Sequence, residues 1–284
     1  MTSAIAQADE GASRWDDFVE ASDPGSYLQL QGWAQVKAVN GWTAHRIGRP
    51  GSIGAQILVR RPAPLPWGFA YAPRGPVASA WTSDAVGEFT AALRDDLVAS
   101  AGRVSPVRID PEIEADGPLD PDGALRRALR HHGWRPAPPI QPASTRVIDL
   151  RPDETALFGD LRKKWRQYVN KARSGGITVV DAEGDRLDEF YAIYRDTADR
   201  AGFLIRTEQA YRDVWDAFRP AGRARLLFAQ TPAGEPVATL FLVRAGPRVV
   251  EPYGGMTEAG GESRANYLLK WEAIRTSREQ GASS

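Results

Sequence analysis

The stretch ARLLFAQTPAGEPVATLFLVRAGPRVVEPY, residues 224–253, decides the fold of the second half of this chain. Apolar and β-branched residues dominate the runs 224–230 and 237–245, and the turn-forming sequence TPAGE separates them. A third run, 248–253, follows Gly-Pro, so the stretch predicts three consecutive antiparallel strands. Downstream, apolar residues recur at the helical period over 263–280. The predicted order is strand, turn, strand, strand, loop, helix.

This order is similar to the core of acyltransferases of the N-acetyltransferase type. In that fold, the loop before the helix presents backbone N–H groups to phosphate or carbonyl oxygen. The glycine-rich sequence GGMTEAGGES, residues 254–263, occupies the corresponding place. It lacks the arginine- and glycine-spaced pyrophosphate pattern of coenzyme A binders, and we therefore expect no cofactor.

The first half of the chain follows a similar scheme. A predicted helix over 29–39 leads into a strand pair, a proline-rich loop and a short buried strand. A helix over 83–100 then precedes a strand that ends at Asp110-Pro111. A helix over 123–132 and a strand over 145–150 complete this half. We therefore predict an α/β (α+β) protein of two tandem domains with mixed sheets, residues 1–150 and 151–284.

A cationic segment, LRKKWRQYVNKARSGG at residues 161–176, opens the second half. Apolar side chains recur through it at the helical spacing, from Leu157 to Ala172, which predicts an amphipathic helix. Its basic residues are Arg162, Lys163, Lys164, Arg166, Lys171 and Arg173. Such a face suits a polyanion, either nucleic acid or a phosphorylated substrate. The alternative is an ordinary solvated helix face.

Composition narrows the possible functions. The 284 residues carry 36 basic and 36 acidic side chains, so any affinity for anions must come from a local surface. The absence of cysteine excludes thiolate catalysis and cysteine-bound zinc, and we expect no metal site. No run of about 18 apolar residues occurs, so we expect a cytoplasmic protein without a transmembrane segment. Contact with a membrane-associated substrate stays open.

Seven motifs in order carry a resemblance to a known family. They are YAPRGPV (71–77), RIDP (108–111), IQPASTRVIDL (140–150), LRKKWRQYVNKARSGGITV (161–179), ADRAGFLIR (198–206), EPYGGMTEAGG (251–261) and ANYLLKWEAI (265–274). From about Tyr27 onward the chain resembles the Fem family (FemABX), the tRNA-dependent aminoacyltransferases that build peptidoglycan interpeptide bridges. The resemblance implies two domains of the N-acetyltransferase type (GNAT-like) without the long helical arm of some members. The C-terminal segment that usually returns to the first domain is absent from these 284 residues.

The resemblance also implies an activity. Family members move an aminoacyl group from aminoacyl-tRNA to the side-chain amine of a peptidoglycan precursor, which is nucleotide-linked or lipid-linked. Such aminolysis of an ester needs a free amine, removal of its proton and stabilisation of an oxyanion. It needs no nucleophilic side chain, which agrees with the absence of cysteine and of a Ser-His-Asp arrangement.

Five site residues follow from the same resemblance. Asp110 corresponds to the aspartate assigned to the substrate amine, and Lys37 to a contact with the precursor phosphate. Arg206 and Tyr211 correspond to residues that hold the precursor's phosphate and peptide, and Tyr253 to the aromatic residue of that pocket. The six basic residues of 162–173 are the expected tRNA contacts. An aspartate before proline is also a common turn former, and buried strand tyrosines are common.

Three other functions remain open from the sequence. The chain could ligate an amino acid from tRNA onto a peptide antibiotic, since the chemistry is the same. It could be a coenzyme A-dependent N-acetyltransferase, which would bind acetyl-CoA and not tRNA. It could also be a non-catalytic module that binds tRNA with a strong salt dependence.

Overall fold

The computed structural model describes residues 2–284, with side-chain surroundings from residue 11 onward. The chain divides into two compact units, Met1–Arg146 and Val147–Ser284. Each unit has its own sheet with helices packed against it, so the predicted α/β class with two sheets is confirmed. The boundary predicted from the sequence, after residue 150, falls in a segment without regular secondary structure.

The first unit is built on one mixed sheet. Its elements are α1 (Thr2–Ala21), α2 (Gln31–Ala38), β1 (Thr43–Arg49), β2 (Ile53–Arg60), β3 (Gly68–Ala72), β4 (Val77–Ala78), α3 (Ser83–Ala92), α4 (Val98–Ala101), β5 (Val104–Ile109) and α5 (Ala124–His131). The strand order is β1-β2-β3-β5, with β4 beside β2. β3 and β5 are parallel, and the other pairs are antiparallel.

The core of the first unit lies between this sheet and the helix that follows β4. All of β2 except its last residue is buried, so helices cover both of its faces. Thr82 caps α3 by accepting a hydrogen bond from the Ala85 N–H. A π-helical turn over Leu93–Leu97 joins α3 to α4, and Phe89 and Leu97 are buried against the sheet.

The second unit is built on an antiparallel sheet. Its elements are α6 (Glu154–Asp160), α7 (Lys163–Ser174), β6 (Thr178–Ala182), α8 (Leu187–Ala201), α9 (Glu208–Phe218), β7 (Ala224–Gln230), β8 (Pro236–Ala245), β9 (Arg248–Met256), α10 (Glu258–Glu262) and α11 (Ala265–Glu279). The strand order is β6-β7-β8-β9, which confirms the predicted run of three consecutive strands. Among the described residues, the longest helices of this unit have 15 residues, so the prediction of no long helical arm is confirmed.

The predicted strand over residues 145–150 is wrong. The segment has no regular secondary structure and joins neither sheet, and within the described part of the chain its one backbone hydrogen bond is from the Leu150 N–H to the Ser283 carbonyl at 2.8 Å. Val147 is 61% exposed and Ile148 is 38% exposed. Their β-branched side chains favour extended backbone, yet they have no neighbouring strand to pack against.

The cationic segment is also arranged differently from the prediction. The apolar pattern predicts one helix that includes Leu157 and Phe158, but the chain turns at Leu161 and separates α6 from α7. The Arg166 side chain donates hydrogen bonds to the Gly159 and Leu161 carbonyls at this turn. These bonds satisfy carbonyls that a continuous helix would have paired internally.

The glycine-rich sequence 254–263 is not a loop. Residues 254–256 end β9, Thr257 caps the next helix, and residues 258–262 form α10. A Cβ at Gly255 would lie 2.5 Å from Thr197 Oγ1 on α8, and one at Gly260 would lie 2.1 Å from the Val237 carbonyl oxygen. The glycines therefore allow α8 and α10 to approach the sheet closely, and the phosphate-loop hypothesis loses its geometric basis.

Candidate functional site

Asp110 directly follows β5, beside the end of β3. The Tyr71 hydroxyl donates a hydrogen bond to Asp110 Oδ2 at 3.1 Å, and the Asp110 N–H donates to the Gly75 carbonyl at 2.8 Å. Gln141 Nε2 in turn donates to the Tyr71 oxygen at 3.2 Å. Burial, followed by the charge and hydrogen bond of Asp110, raises the pKa of Tyr71 to about 12. The phenol therefore stays protonated and orients the carboxylate.

A fully buried glutamine supports the loop that holds Asp110. Gln29 Nε2 donates to the Pro73 carbonyl at 2.7 Å and to the Gln56 carbonyl at 3.3 Å. Its Oε1 accepts from the Gln56 N–H at 2.7 Å. A Cβ at Gly75 would lie 2.6 Å from Gln29 Nε2, so the loop needs glycine there. Gln29 was missed from the sequence, where its only signal is an amide inside the apolar run LQL.

Lys37, the residue expected at the precursor phosphate, lies in the last turn of α2. Its Nζ is 4.6 Å from the centre of the Trp33 ring. A cation held over an aromatic face in this way keeps a favoured direction while its charge stays partly solvated. The structure thus presents Lys37 as an oriented, half-exposed cation of the first unit.

The other three predicted substrate residues lie together in the second unit. The Tyr211 oxygen accepts a hydrogen bond from the Arg206 N–H at 3.0 Å, and the Tyr211 and Tyr253 rings are 4.9 Å apart. Tyr194 on α8 contacts both rings, at 5.6 and 6.1 Å between centres. We call Tyr194, Tyr211 and Tyr253 the tyrosine cluster. The sequence did not predict Tyr194 as a site residue, because its contacts with Tyr211 and Tyr253 form only when α8 packs beside α9 and β9.

All three tyrosines of the tyrosine cluster have a pKa above the ordinary value of a phenol. Burial raises the pKa of Tyr253 to about 12, with a further increase from Tyr211 and an opposing effect of Arg206. Burial also raises the pKa of Tyr194 and of Tyr211. At neutral pH the three hydroxyls are therefore hydrogen-bond donors. Tyr194 and Tyr253 are partly exposed, so their hydroxyls can donate to carbonyl or phosphate oxygens near the Arg206 guanidinium, whereas Tyr211 is only 3% exposed and supports the other two rings.

We expect the unfolding free energy to fall as the pH rises from about 10 to about 12, the window between the ordinary and the folded pKa of Tyr253. The folded protein holds the Tyr253 proton more tightly than the unfolded chain, so this stability is present below pH 10 and is lost above it. For a partly exposed phenol the loss is about 2 kcal/mol. Urea unfolding across this range should show that Tyr253→Phe reduces the fall and that Tyr191→Phe does not. Equal pH profiles for wild type and Tyr253→Phe would contradict this assignment.

The basic face of α7 is mostly solvated. Arg162, Lys163, Lys164, Lys171 and Arg173 are exposed, whereas Arg166 is half-buried and folds back onto the α6–α7 turn. Arg173 forms an ion pair with Glu272 at 3.4 Å. The apolar face packs on α11, where Trp165 and Tyr168 contact the Tyr267 ring.

One further cation joins this face through tertiary structure. The Arg264 guanidinium lies 4.7 Å from the centre of the Tyr168 ring, and Lys164 Nζ lies 5.6 Å from it. Arg264 directly precedes α11 and is remote in sequence from α7. Among the described residues, no group of three or more His, Asp or Glu side chains is arranged to hold a metal ion. None of the described helices has both the length and the apolar character needed to cross a bilayer.

Comparison with known proteins identifies relatives along most of the chain. A model of the FemAB family matches residues 11–119 and 125–240. Lipid II:glycine glycyltransferase of Staphylococcus aureus strain MRSA252 is 29% identical over 231 residues, which cover 78% of this chain and 54% of that protein. The same enzyme of strain USA300 is 28% identical over the same length. The chain therefore spans about half the length of these curated relatives.

Solved structures show the same fold. The crystal structure of FemX has a TM-score of 0.82 at 20% identity and covers 96% of this chain and 85% of its own. The structure of L-PGS from Bacillus licheniformis has a TM-score of 0.53 at 13% identity, over 95% of this chain and 73% of its own. The resemblance predicted from the seven motifs is confirmed by the family match. The chain belongs to the FemAB family.

Proposed function

We propose that this chain is an aminoacyltransferase that moves an amino acid from aminoacyl-tRNA to the side-chain amine of a peptidoglycan precursor. The proposal rests on one structural observation, the meeting of Arg206, Tyr211 and Tyr253 in a single cluster of the second unit. The names of the Staphylococcus aureus relatives point to a lipid-linked acceptor. No cofactor takes part, and the reaction belongs in the cytoplasm, where charged tRNA is available.

In this proposal Asp110 receives the acceptor amine. The carboxylate, oriented by Tyr71, binds the ammonium group, which first releases one proton to solvent. Asp110 then takes a second proton from the neutral amine as its nitrogen attacks the ester carbonyl. The C–N bond forms, the C–O bond to the ribose breaks, and the proton passes to the departing ribose hydroxyl. Asp110 Oδ1 makes no hydrogen bond within the described part of the chain, so it is available to the amine.

Arg206 and the tyrosine cluster bind the precursor. The Arg206 guanidinium is exposed and forms no ion pair with any described side chain. A planar guanidinium binds phosphate oxygens in pairs, and neighbouring phenol donors add hydrogen bonds to phosphate or peptide carbonyls. This arrangement suits an acceptor that carries both a diphosphate and a peptide.

The basic face of α7 is proposed to hold the tRNA backbone. We expect the triple change Lys163→Gln, Lys164→Gln and Lys171→Gln to weaken tRNA binding. The negative slope of the logarithm of the association constant against the logarithm of salt concentration should become less steep by about two to three. The three side chains are exposed and carry no fold contact comparable to that of Arg166. Fluorescence titration at several salt concentrations measures the slope. Arg127→Gln, an exposed cation paired with Asp122 in the first unit, is the matched control and should leave it unchanged.

A transfer assay tests the proposed function. The full-length gene product is mixed with radiolabelled aminoacyl-tRNA and, in separate reactions, a lipid-linked precursor, a nucleotide-linked muropeptide and free peptides. Label on the stem-peptide amine is the expected result. Label on free peptides alone would indicate a peptide ligase, and acetyl transfer from acetyl-CoA an N-acetyltransferase. Salt-dependent tRNA binding without transfer would indicate a non-catalytic module, and each of these three results contradicts the proposal.

A further inference from the structure

One surface of the first unit exposes large apolar side chains beside arginines. The loop of residues 61–67, between β2 and β3, is exposed along its whole length. Leu65 is 40% exposed and Trp67 is 43% exposed, and Val98 on α4 is 59% exposed. We define the arginine–tryptophan surface as Arg60, Arg61, Leu65, Trp67, Val98 and Arg103.

These residues form one surface because both ends of the loop are tied to the same neighbouring segment. Arg61 Nη2 donates to the Ala101 carbonyl at 2.7 Å, and the Gly68 N–H donates to the Arg103 carbonyl at 2.9 Å. Val98 lies three residues before Ala101, within one helical turn of it. The loop that carries Leu65 and Trp67 therefore lies beside the segment that begins with Val98.

The charged residues of the arginine–tryptophan surface are all arginines. Residues 60–69 and 97–104 contain three arginines and no acidic residue. The nearest acids in sequence, Asp95 and Asp96, lie in the preceding π-helical turn. Arg60 is also held over the Trp42 ring at 6.0 Å. The surface therefore offers fixed positive charge around exposed apolar groups.

The loop is suited to docking without a large ordering cost. Prolines at positions 62, 64 and 66 restrict φ in three of its seven residues. A restricted loop loses less conformational entropy when it contacts a partner. Its tryptophan is the residue type enriched at the boundary between lipid head groups and acyl chains.

We propose that the arginine–tryptophan surface docks on an anionic lipid bilayer. The arginines attract anionic head groups, and Leu65, Trp67 and Val98 enter the interfacial region. An RNA backbone would also attract the arginines, but it offers no apolar medium for Leu65 and Val98, so the bilayer accounts for more of the surface. This inference concerns where the protein sits and does not depend on the proposed transfer reaction.

Vesicle sedimentation tests this docking. The protein should bind vesicles that contain phosphatidylglycerol and bind pure phosphatidylcholine vesicles much less. The double change Leu65→Ser and Trp67→Ser should lower the partition coefficient roughly ten-fold, and Arg103→Gln about five-fold. Brominated lipids should quench tryptophan fluorescence in the wild type, and Trp67→Phe should remove most of that quenching although eight tryptophans remain.

Matched controls keep the test specific. Leu204→Ser removes a fully exposed leucine of the second unit, and Arg49→Gln removes an exposed arginine at the far end of the β1–β2 pair. Both should leave vesicle binding unchanged, and circular dichroism should show every variant folded. The proposal is overturned if the wild type ignores anionic vesicles or if the controls lower binding as much as the surface variants. It is equally overturned if Arg103→Gln weakens tRNA binding but not vesicle binding, because the surface then serves RNA. Transfer activity is a separate readout, so failure here leaves the proposed function standing.

Discussion

Replacing Asp110 with asparagine should lower the rate of aminoacyl transfer by roughly 100- to 10,000-fold, the usual contribution of a general base. Asparagine keeps the size of the side chain, and its oxygen still accepts the hydrogen bond from Tyr71. It carries no negative charge, so it neither binds the ammonium group nor removes the proton. A single-turnover assay with labelled aminoacyl-tRNA and the precursor measures the rate of the chemical step.

Two companion variants make this result interpretable. Asp95→Asn removes an exposed carboxylate of the first unit and should keep the wild-type rate. Tyr71→Phe retains Asp110 but removes the phenol donor, so we expect a loss of about ten-fold from poorer orientation. A normal rate for Asp110→Asn would show that this carboxylate does not act on the amine. The family membership would be unaffected by that outcome.

The second large effect is expected on stability. Gln29→Ala should lower the free energy of unfolding by about 3 to 5 kcal/mol, because it leaves three buried backbone groups without partners. These groups are the N–H and carbonyl of Gln56 and the carbonyl of Pro73. Urea or thermal unfolding measures the change. Transfer activity should fall as well, since the loop of Pro73 and Gly75 also holds the Asp110 backbone.

Controls for Gln29 separate lost hydrogen bonds from lost volume. Gln29→Glu keeps the volume but places an acceptor against two carbonyl oxygens, so it should also destabilise the protein strongly. Gln35→Ala removes an exposed glutamine from α2 and should change stability by no more than about 0.5 kcal/mol. If Gln29→Ala were no less stable than Gln35→Ala, the buried amide would not support this loop.

Both predictions concern the first unit, one through the rate of transfer and the other through the free energy of unfolding. Asp110 presents the chemistry, and Gln29 holds the backbone to which Asp110 is attached. If an osmolyte that stabilises the folded state restores the transfer rate of Gln29→Ala, the lower rate of that variant is due to partial unfolding. A loss in Asp110→Asn should not respond to osmolyte, because the fold of that variant is intact.

Local pattern sufficed for most of the secondary structure. The alternating and continuous apolar runs of 224–253 predicted three consecutive strands, and the structure has them as β7, β8 and β9. Helical periodicity over residues 263–280 predicted a helix that the structure shows as α11, Ala265–Glu279. These predictions succeed because the burial of one face and the turn residues between runs are local properties of the chain. The prediction of a strand over 145–150 is wrong because a strand also needs a neighbouring strand, and the local sequence does not show whether one is present.

Sequence by itself determined the family, the two-sheet α/β class and the candidates Asp110, Lys37, Arg206, Tyr211 and Tyr253, because ordered motifs and apolar periodicity are written along the chain. Only the tertiary structure decided that Arg206, Tyr211 and Tyr253 meet, that Tyr194 joins them, and that Gln29 supports the loop of Asp110. It also decided that Arg166 is used by the α6–α7 turn, whereas Arg264 joins the basic face. Each of these facts depends on contacts between side chains and distant backbone, which no local pattern encodes.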